Sequence, residues 1–349
     1  MFKYVAAAKI LKKHKAQVDN AVFHLHYRVT FLIFLISSML VTAKEFLGTP
    51  IQCLAGKGVS AKVLNTYCWI MSTFSLPSQL GRGEAAAYEG LGQGEYDEEP
   101  VYHAYYQWVP FVLLLQAVMF YVPRYLWKCV EGGVFQTILG GLDKLTLDDS
   151  TRMKKHKILA KYMINHLHMH RNWTIRFFLC EALCLVNVVG NIYFTDFFLG
   201  GTFMSYGSEV INFPDMDPET RVDPMMRIFP RVAKCTFRKY GPSGSLETHD
   251  AMCVLALNII NEKIYIFVWF WLIFMTVITS LWLIYRLAII SSSSLRFKLL
   301  QVQASAGLSF DSTPVRRQCF YDQQFLTIYP FQKFRKLFFF AKFGQQFAQ

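Results

Sequence analysis

Residues 264–285 read IYIFVWFWLIFMTVITSLWLIY, an apolar run with no charged side chain between Lys263 and Arg286. About 20 such residues cross a bilayer core as a helix. A helix apolar on every side has no face to offer water and must be buried. The run therefore decides the class of the molecule: it is an integral membrane chain.

Three further stretches answer to the same description. Residues 104–123 carry no charge between His103 and Arg124, with Tyr and Trp at the ends. Residues 29–43 are uncharged between Arg28 and Lys44, but short, so the preceding His24, His26 and Tyr27 are expected at the interface or against other helices. Residues 177–199 include Glu181, Asn187, Asn191 and Asp196. Polar groups at such depth must face protein or water. Glu181, Cys184, Asn187 and Asn191 recur at spacings of three and four, so one helical face carries them all, either packed against neighbours or lining a pore.

Composition agrees. Apolar residues make up 53% of the chain against 17% charged, too little charge to cover a soluble protein of 349 residues. The net charge of +12 has no aromatic-interleaved basic motif to match a nucleic acid. Its distribution follows membrane topology instead. Segments 1–28, 124–176 and 286–349 hold 6, 10 and 9 Lys and Arg against 1, 4 and 2 acidic residues; loops 44–103 and 200–263 hold 4 and 7 against 7 and 8. Basic flanks stay in the cytoplasm, so both termini and the middle loop are expected inside. Lys154, Lys155 and Lys157 are then placed beside anionic lipid. No cleavage site follows a short apolar core near the N-terminus, and the first span is expected to act as its own insertion signal.

The expected order is a cytoplasmic segment 1–28, spans 29–43, 104–123, 177–199 and 264–285, outer loops 44–103 and 200–263, a cytoplasmic loop 124–176 and a cytoplasmic tail 286–349. The fold class is all-α and membrane-embedded, with room for a small sheet outside and a helical domain inside.

The cysteines obey this order. Cys53 and Cys68 fall in the first outer loop and Cys235 and Cys253 in the second; Cys129 and Cys319 are cytoplasmic, and Cys180 and Cys184 lie in the third span. Disulfides belong to the oxidising exterior, so the four outer thiols are expected to pair, in any of three connectivities. The short spacing of a zinc site is missing, and neither a metal nor a cofactor is expected.

Several blocks carry a resemblance. Tyr105-Tyr106-Gln107-Trp108-Val109 opens the second span, and Phe120-Tyr121-Val122-Pro123-Arg124-Tyr125-Leu126-Trp127-Lys128 closes it. Thr66-Tyr67-Cys68-Trp69-Ile70 stands in the first outer loop; Lys234-Cys235-Thr236-Phe237 and Tyr240-Gly241-Pro242-Ser243-Gly244 stand in the second, with Asn258 to Trp271 beyond. Together they resemble the innexins, the invertebrate gap-junction proteins, over about residues 18–290. Connexins carry three cysteines per outer loop, and pannexins lack the Tyr105–Val109 block. The resemblance implies bridges Cys53–Cys253 and Cys68–Cys235, and a ring of about eight copies, or of related subunits. It also implies docking to a second ring on the apposed cell at the plasma membrane, passing ions and small molecules. An undocked single-membrane channel and a non-channel tetraspan adhesion or scaffold protein are the rival readings.

Within that frame, Phe2 and Val5 share one side of a basic N-terminal helix (2–18), which either lies on the membrane or folds into the pore mouth. Lys44 and Glu45 follow the first span and would each form a charged ring in an oligomer, or else a plain interfacial pair. Pro123 lacks the N–H its helix needs and either bends it or marks its end. His166, His168 and His170 read as interfacial residues, an acid sensor or a metal pair. The Gly-rich stretch 81–94 follows no strand and reads as a flexible excursion; with no HExxH and no nucleophile elbow, catalysis is not expected. Past about Ser291 the resemblance fades, and the Phe-rich, basic end (331–347) reads as an amphipathic helix on the membrane.

Overall fold

A computed structural model describes residues 19–54, 56, 58–79, 90–92, 99–132, 171–216 and 223–292, with 294, 295 and 298. The expected N-terminal helix with Phe2 and Val5, the three histidines, almost all of the Gly-rich stretch, most of the expected cytoplasmic loop and the Phe-rich end lie outside these residues.

Among the described residues, four helices are long and apolar enough to cross a membrane: α1 (Ala21–Leu47), α3 (Val109–Glu131), α4 (Arg171–Phe198) and α7 (Ala256–Ser291). Between α1 and α3 lies the short helix α2 (Ala61–Met71); between α4 and α7 lie α5 (Phe203–Asn212) and α6 (Pro224–Ile228). The spans extend beyond the uncharged runs. Helix α1 starts at Ala21 because Asn20 caps it, accepting from the Phe23 amide at 2.6 Å. It then passes through a π-helical stretch, Leu25–Thr30, before resuming as α-helix. Helix α3 continues eight residues past buried Pro123, whose missing N–H leaves the Met119 carbonyl without an intrahelical donor. Helix α4 stops at a pair of glycines, Gly200 (φ 73°) and Gly201 (φ 83°); the Gly201 amide reaches back to the Asp196 carbonyl at 2.7 Å. Only glycine adopts that left-handed turn without strain.

The chain divides into two compact units. The first comprises Met1–Arg28, Tyr121–Leu185 and Ile278–Gln349, and the second comprises Val29–Phe120 and Val186–Val277. In the second unit the helices are tied by polar groups. The Ser38 hydroxyl donates to the Pro110 carbonyl (2.9 Å), Gln116 Nε2 to Thr195 Oγ1 (2.8 Å) and Trp271 Nε1 to Thr30 Oγ1 (3.0 Å). Phe34 stacks on Phe120, ring centroids 5.4 Å apart.

The second unit also holds a five-stranded antiparallel sheet, the small sheet for which the sequence leaves room. Its strands are β1 (Gln52–Cys53), β2 (Thr73–Ser75), β3 (Val101–His103), β4 (Val232–Tyr240) and β5 (Leu246–Val254), in the order β1-β5-β4-β2-β3. The hairpin β4–β5 dominates it, with nine register pairs from Val232↔Val254 to Tyr240↔Leu246. Its turn is closed by the Gly241 amide on the Ser245 carbonyl (2.8 Å). Strands from both expected outer loops interleave, so neither loop forms this sheet alone.

Candidate functional site

Two disulfides hold the sheet domain together. Cys53–Cys253 links β1 to β5, and Cys68–Cys235 links α2 to β4. This is the connectivity that the resemblance implies and that the sequence alone leaves open among three. Around the bridges pack Ile51, Leu64, Tyr106, Ala233, Ala251 and Leu255, all buried. The sulfurs of Cys53, Cys68 and Cys253 lie within 4.8 Å of one another, so the two bridges abut. They form the only metal-spaced trio among the described residues, and all three sulfurs are spent in bridges. Cys129, Cys180 and Cys184 are free thiols.

The Tyr105–Val109 block joins this domain to the second span. Residues 105–107 form a 3-10 turn running directly into α3. Tyr105 donates to the Ile228 carbonyl at 3.0 Å and meets the rings of Phe198 and Phe229 edge-on. Tyr106 is fully buried over Trp69, centroids 4.7 Å apart, and its hydroxyl reaches the Cys68 carbonyl at 3.5 Å. Gln107 donates to the Trp69 carbonyl. Trp108 faces outward, 62% exposed, and Val109 is buried. Burial pushes both tyrosine hydroxyls above their ordinary pKa, so they serve as neutral donors. The block thus fixes the end of α2, the loop after α6 and the start of α3 to one another.

Beside it, His103 Nε2 pairs with Ser75 Oγ at 2.7 Å across the β2–β3 ladder. Burial lowers its imidazole to about 4, so the ring is neutral. The loop between α6 and β4 is held to α7: Arg231 grips the Glu262 carboxylate through Nε (3.0 Å) and NH2 (3.1 Å), and Asn258 donates to the Pro230 carbonyl (2.9 Å).

In the first unit, Glu181 of α4 accepts from Trp282 Nε1 (3.0 Å) and Arg286 NH2 (3.1 Å) of α7, and from Asn20 Nδ2. Glu181 and Arg286 are both buried. Arg286 marks the end of the apolar run in the sequence, yet it lies within α7 and not beyond it. The polar face of α4 is buried inside the protomer throughout. Cys184 is buried, Asn191 donates to the Asn187 carbonyl (2.8 Å), and Thr195 donates to the Asn191 carbonyl (2.7 Å). Packing is the arrangement these residues adopt. Lys44 and Glu45 occupy the last turn of α1, both partly exposed, and Lys44 supplies the carbonyl on which the Gly48 amide closes the helix.

The family model Innexin matches residues 19–343, a range that holds the four apolar helices and the doubly bridged domain. The chain is an innexin. The match runs past Ser291, where the resemblance read from the sequence is expected to fade, and so extends it to residue 343. It is 45% identical to innexin inx2 of Drosophila melanogaster over 323 residues (91% of this chain, 88% of the relative). It is 46% identical to innexin inx2 of Schistocerca americana (91% and 90%), and 42% identical to innexin shaking-B of Drosophila melanogaster over 297 residues (84% and 80%). This innexin is therefore a multi-pass membrane protein of a channel-forming family and a gap-junction channel subunit.

Proposed function

We propose that about eight copies of this innexin, alone or with related subunits, form a ring around a water-filled pore, both termini in the cytoplasm and the bridged domain outside. The excess of Lys and Arg in segments 1–28, 124–176 and 286–349 supports that orientation. So do the two disulfides, which suit an oxidising compartment.

One observation carries the cell-to-cell reading: the bridged domain projects the β4–β5 hairpin, whose last cross-strand pair, Tyr240 and Leu246, is largely exposed beside Pro242, Ser243 and Gly244. A hairpin held at its base by two bridges offers a rigid face to a second ring on the apposed cell. Lys44 and Glu45, repeated around the ring, would place alternating charge at one pore mouth, and Phe2 and Val5 would line it from the N-terminal segment.

Paired-cell voltage clamp tests this. Junctional current is the expected result; current in single membranes alone makes it an undocked channel, and no current makes it an adhesion or scaffold protein. Deleting residues 2–15 is expected to change unitary conductance, and an unchanged value removes that segment from the pore.

A further inference from the structure

The sulfurs of Cys53, Cys68 and Cys253 lie within 4.8 Å of one another, yet Cys68 belongs to a different bridge from the other two. Stapling two loops to one sheet does not require the staples to touch. Several elements build this contact. Cys253 has Cys53 of β1 as register partner on one side and Ala233 of β4 on the other. Cys235 faces Ala251 in the same way, so the two alanines project only methyl groups where the bridges meet. From α2, Asn65 Oδ1 accepts the Cys53 amide at 2.8 Å, three residues before Cys68. The helix that carries Cys68 therefore also holds β1 at Cys53. All four cysteines are buried. Disulfides exchange when a thiolate attacks one of their sulfurs, and here a sulfur of one bridge stands beside both sulfurs of the other.

We propose that Cys53, Cys68 and Cys253 form a thiol–disulfide exchange site whose co-reactant is a small-molecule thiol. The thiolate of that molecule attacks Cys235 Sγ; the Cys68–Cys235 bond breaks, and its electron pair leaves on Cys68 Sγ. The Cys68 thiolate then attacks Cys253 Sγ, and the Cys53–Cys253 bond breaks with its electron pair on Cys53 Sγ. Cys53 takes up the proton that the small thiol gave up. The products are a Cys68–Cys253 bridge, a Cys53 thiol and the small thiol bonded to Cys235, so two disulfides and one thiol stand on each side of the equation. Burial favours the second step, because the Cys68 thiolate is released against its target, at the high effective concentration of a fixed neighbour. In the exchanged form α2 stays bonded to β5, while β1 keeps only its hydrogen bonds. Attachment of β1 thus responds to small thiols, and a mispaired bridge can correct itself inside the folded domain.

The test treats the full, detergent-solubilised chain with graded glutathione, quenches it with acid while most chains keep their native pairs, alkylates free thiols and maps the bridges by mass spectrometry. The same treatment in strong denaturant supplies the reference mixture. In the folded chain, bridges from Cys68 to Cys253 or Cys53 are expected to outnumber bridges from Cys235 to those two cysteines about tenfold, with glutathione found on Cys235. The denatured chain should show no such bias. Equal shares in the folded chain overturn the proposal, as does opening of Cys68–Cys235 with no new bond at Cys68. Cys235→Ser gives a second reading, since it frees the Cys68 thiol with no reagent added. Part of that variant is expected to carry Cys68 bonded to Cys253 or Cys53; Cys53–Cys253 as its sole bridge overturns the exchange site. Should Cys235→Ser fail to fold, the unaltered chain carries the test. The readout is a bond map and not a current, so failure of the docking reading leaves it untouched.

Discussion

Cys53 and Cys253 face one another as register partners across the β1–β5 ladder, and their sulfurs are bonded. A two-residue strand has a short ladder, so the bridge reinforces the hydrogen bond from the Leu54 amide to the Met252 carbonyl (2.9 Å) in holding β1 in the sheet. Cys68–Cys235 performs the equivalent service for α2. The bridges close sequence separations of 200 and 167 residues, each constraining the unfolded chain by about 5 kcal/mol in the chain-entropy picture.

Because the two bridges abut in one core, losing either is expected to disturb both. Cys68→Ser should abolish cell-to-cell coupling, measured as dye transfer between paired cells, and Cys53→Ser should do the same. Normal transfer in either variant would contradict the role of the bridged domain as the docking part.

The bridged domain should also be sensitive to acid through His103. Its imidazole is neutral in the fold and protonates only near 4, whereas in the unfolded chain it protonates near 6.5. The unfolded state therefore binds the proton first, and stability is lost as pH falls from about 6.5 to about 4, reaching roughly 3 kcal/mol. Below that window both states are protonated and the loss stops growing. Thermal unfolding of the detergent-solubilised protein at pH 7, 5.5 and 4.5 measures it. His103→Gln, which keeps a hydrogen-bonding group beside Ser75, should flatten this slope; an equal slope in the variant would assign the acid sensitivity elsewhere.

How far sequence reading reaches can be judged residue by residue. The four spans are legible because bilayer thickness imposes a long uncharged run, and the Tyr105–Val109 block because it resembles the signature of a known family. Arg286 marks where that legibility ends. By sequence it closes an apolar run, but its partner Glu181 lies 105 residues away, and a charge with an internal partner need not sit at the membrane edge. The same holds for Asp19 and Asn20. They read as the end of a basic segment because Arg124 and Glu181 stand 105 and 161 residues distant. The sheet is partly hidden for a similar reason: β1 and β2 have two and three residues, and only their pairing, β1 with β5 and β2 with β3 and β4, defines them.

Helix α5 makes a close approach that only glycine permits. A Cβ at Gly207 would lie 2.1 Å from two atoms of the Trp269 indole, inside any real contact distance. The obstructing atoms, Cδ2 and Cε3, belong to the body of the ring, so relief needs movement of the whole indole or of α5. Gly207→Ala should lower thermal stability by about 1–3 kcal/mol, the usual cost of overpacking. Trp269→Leu in the same chain should recover part of that loss. Equal stability of Gly207→Ala and the parent protein would show that the indole swings away freely.

The Glu181–Arg286 pair yields the sharpest stability contrast. Both side chains are under 5% exposed, and Arg286 is flanked by the rings of Trp282 and Phe178 at 5.0 and 5.7 Å. Removing the carboxylate alone, as in Glu181→Leu, takes from a buried guanidinium the carboxylate it pairs with and is expected to cost about 3–5 kcal/mol. Arg286→Met alone strands the carboxylate and should cost a similar amount. The double variant removes both buried charges, so it should be more stable than either single variant, and the excess over additivity is the coupling between the two residues. Asn20 and Trp282 would keep the double variant from full recovery, since each loses its acceptor on Glu181. Thermal melting of the four proteins in one detergent measures the cycle. Simple addition of the two single losses would mean that the pair is not coupled and that Glu181 is held chiefly by its hydrogen bonds to Asn20 and Trp282.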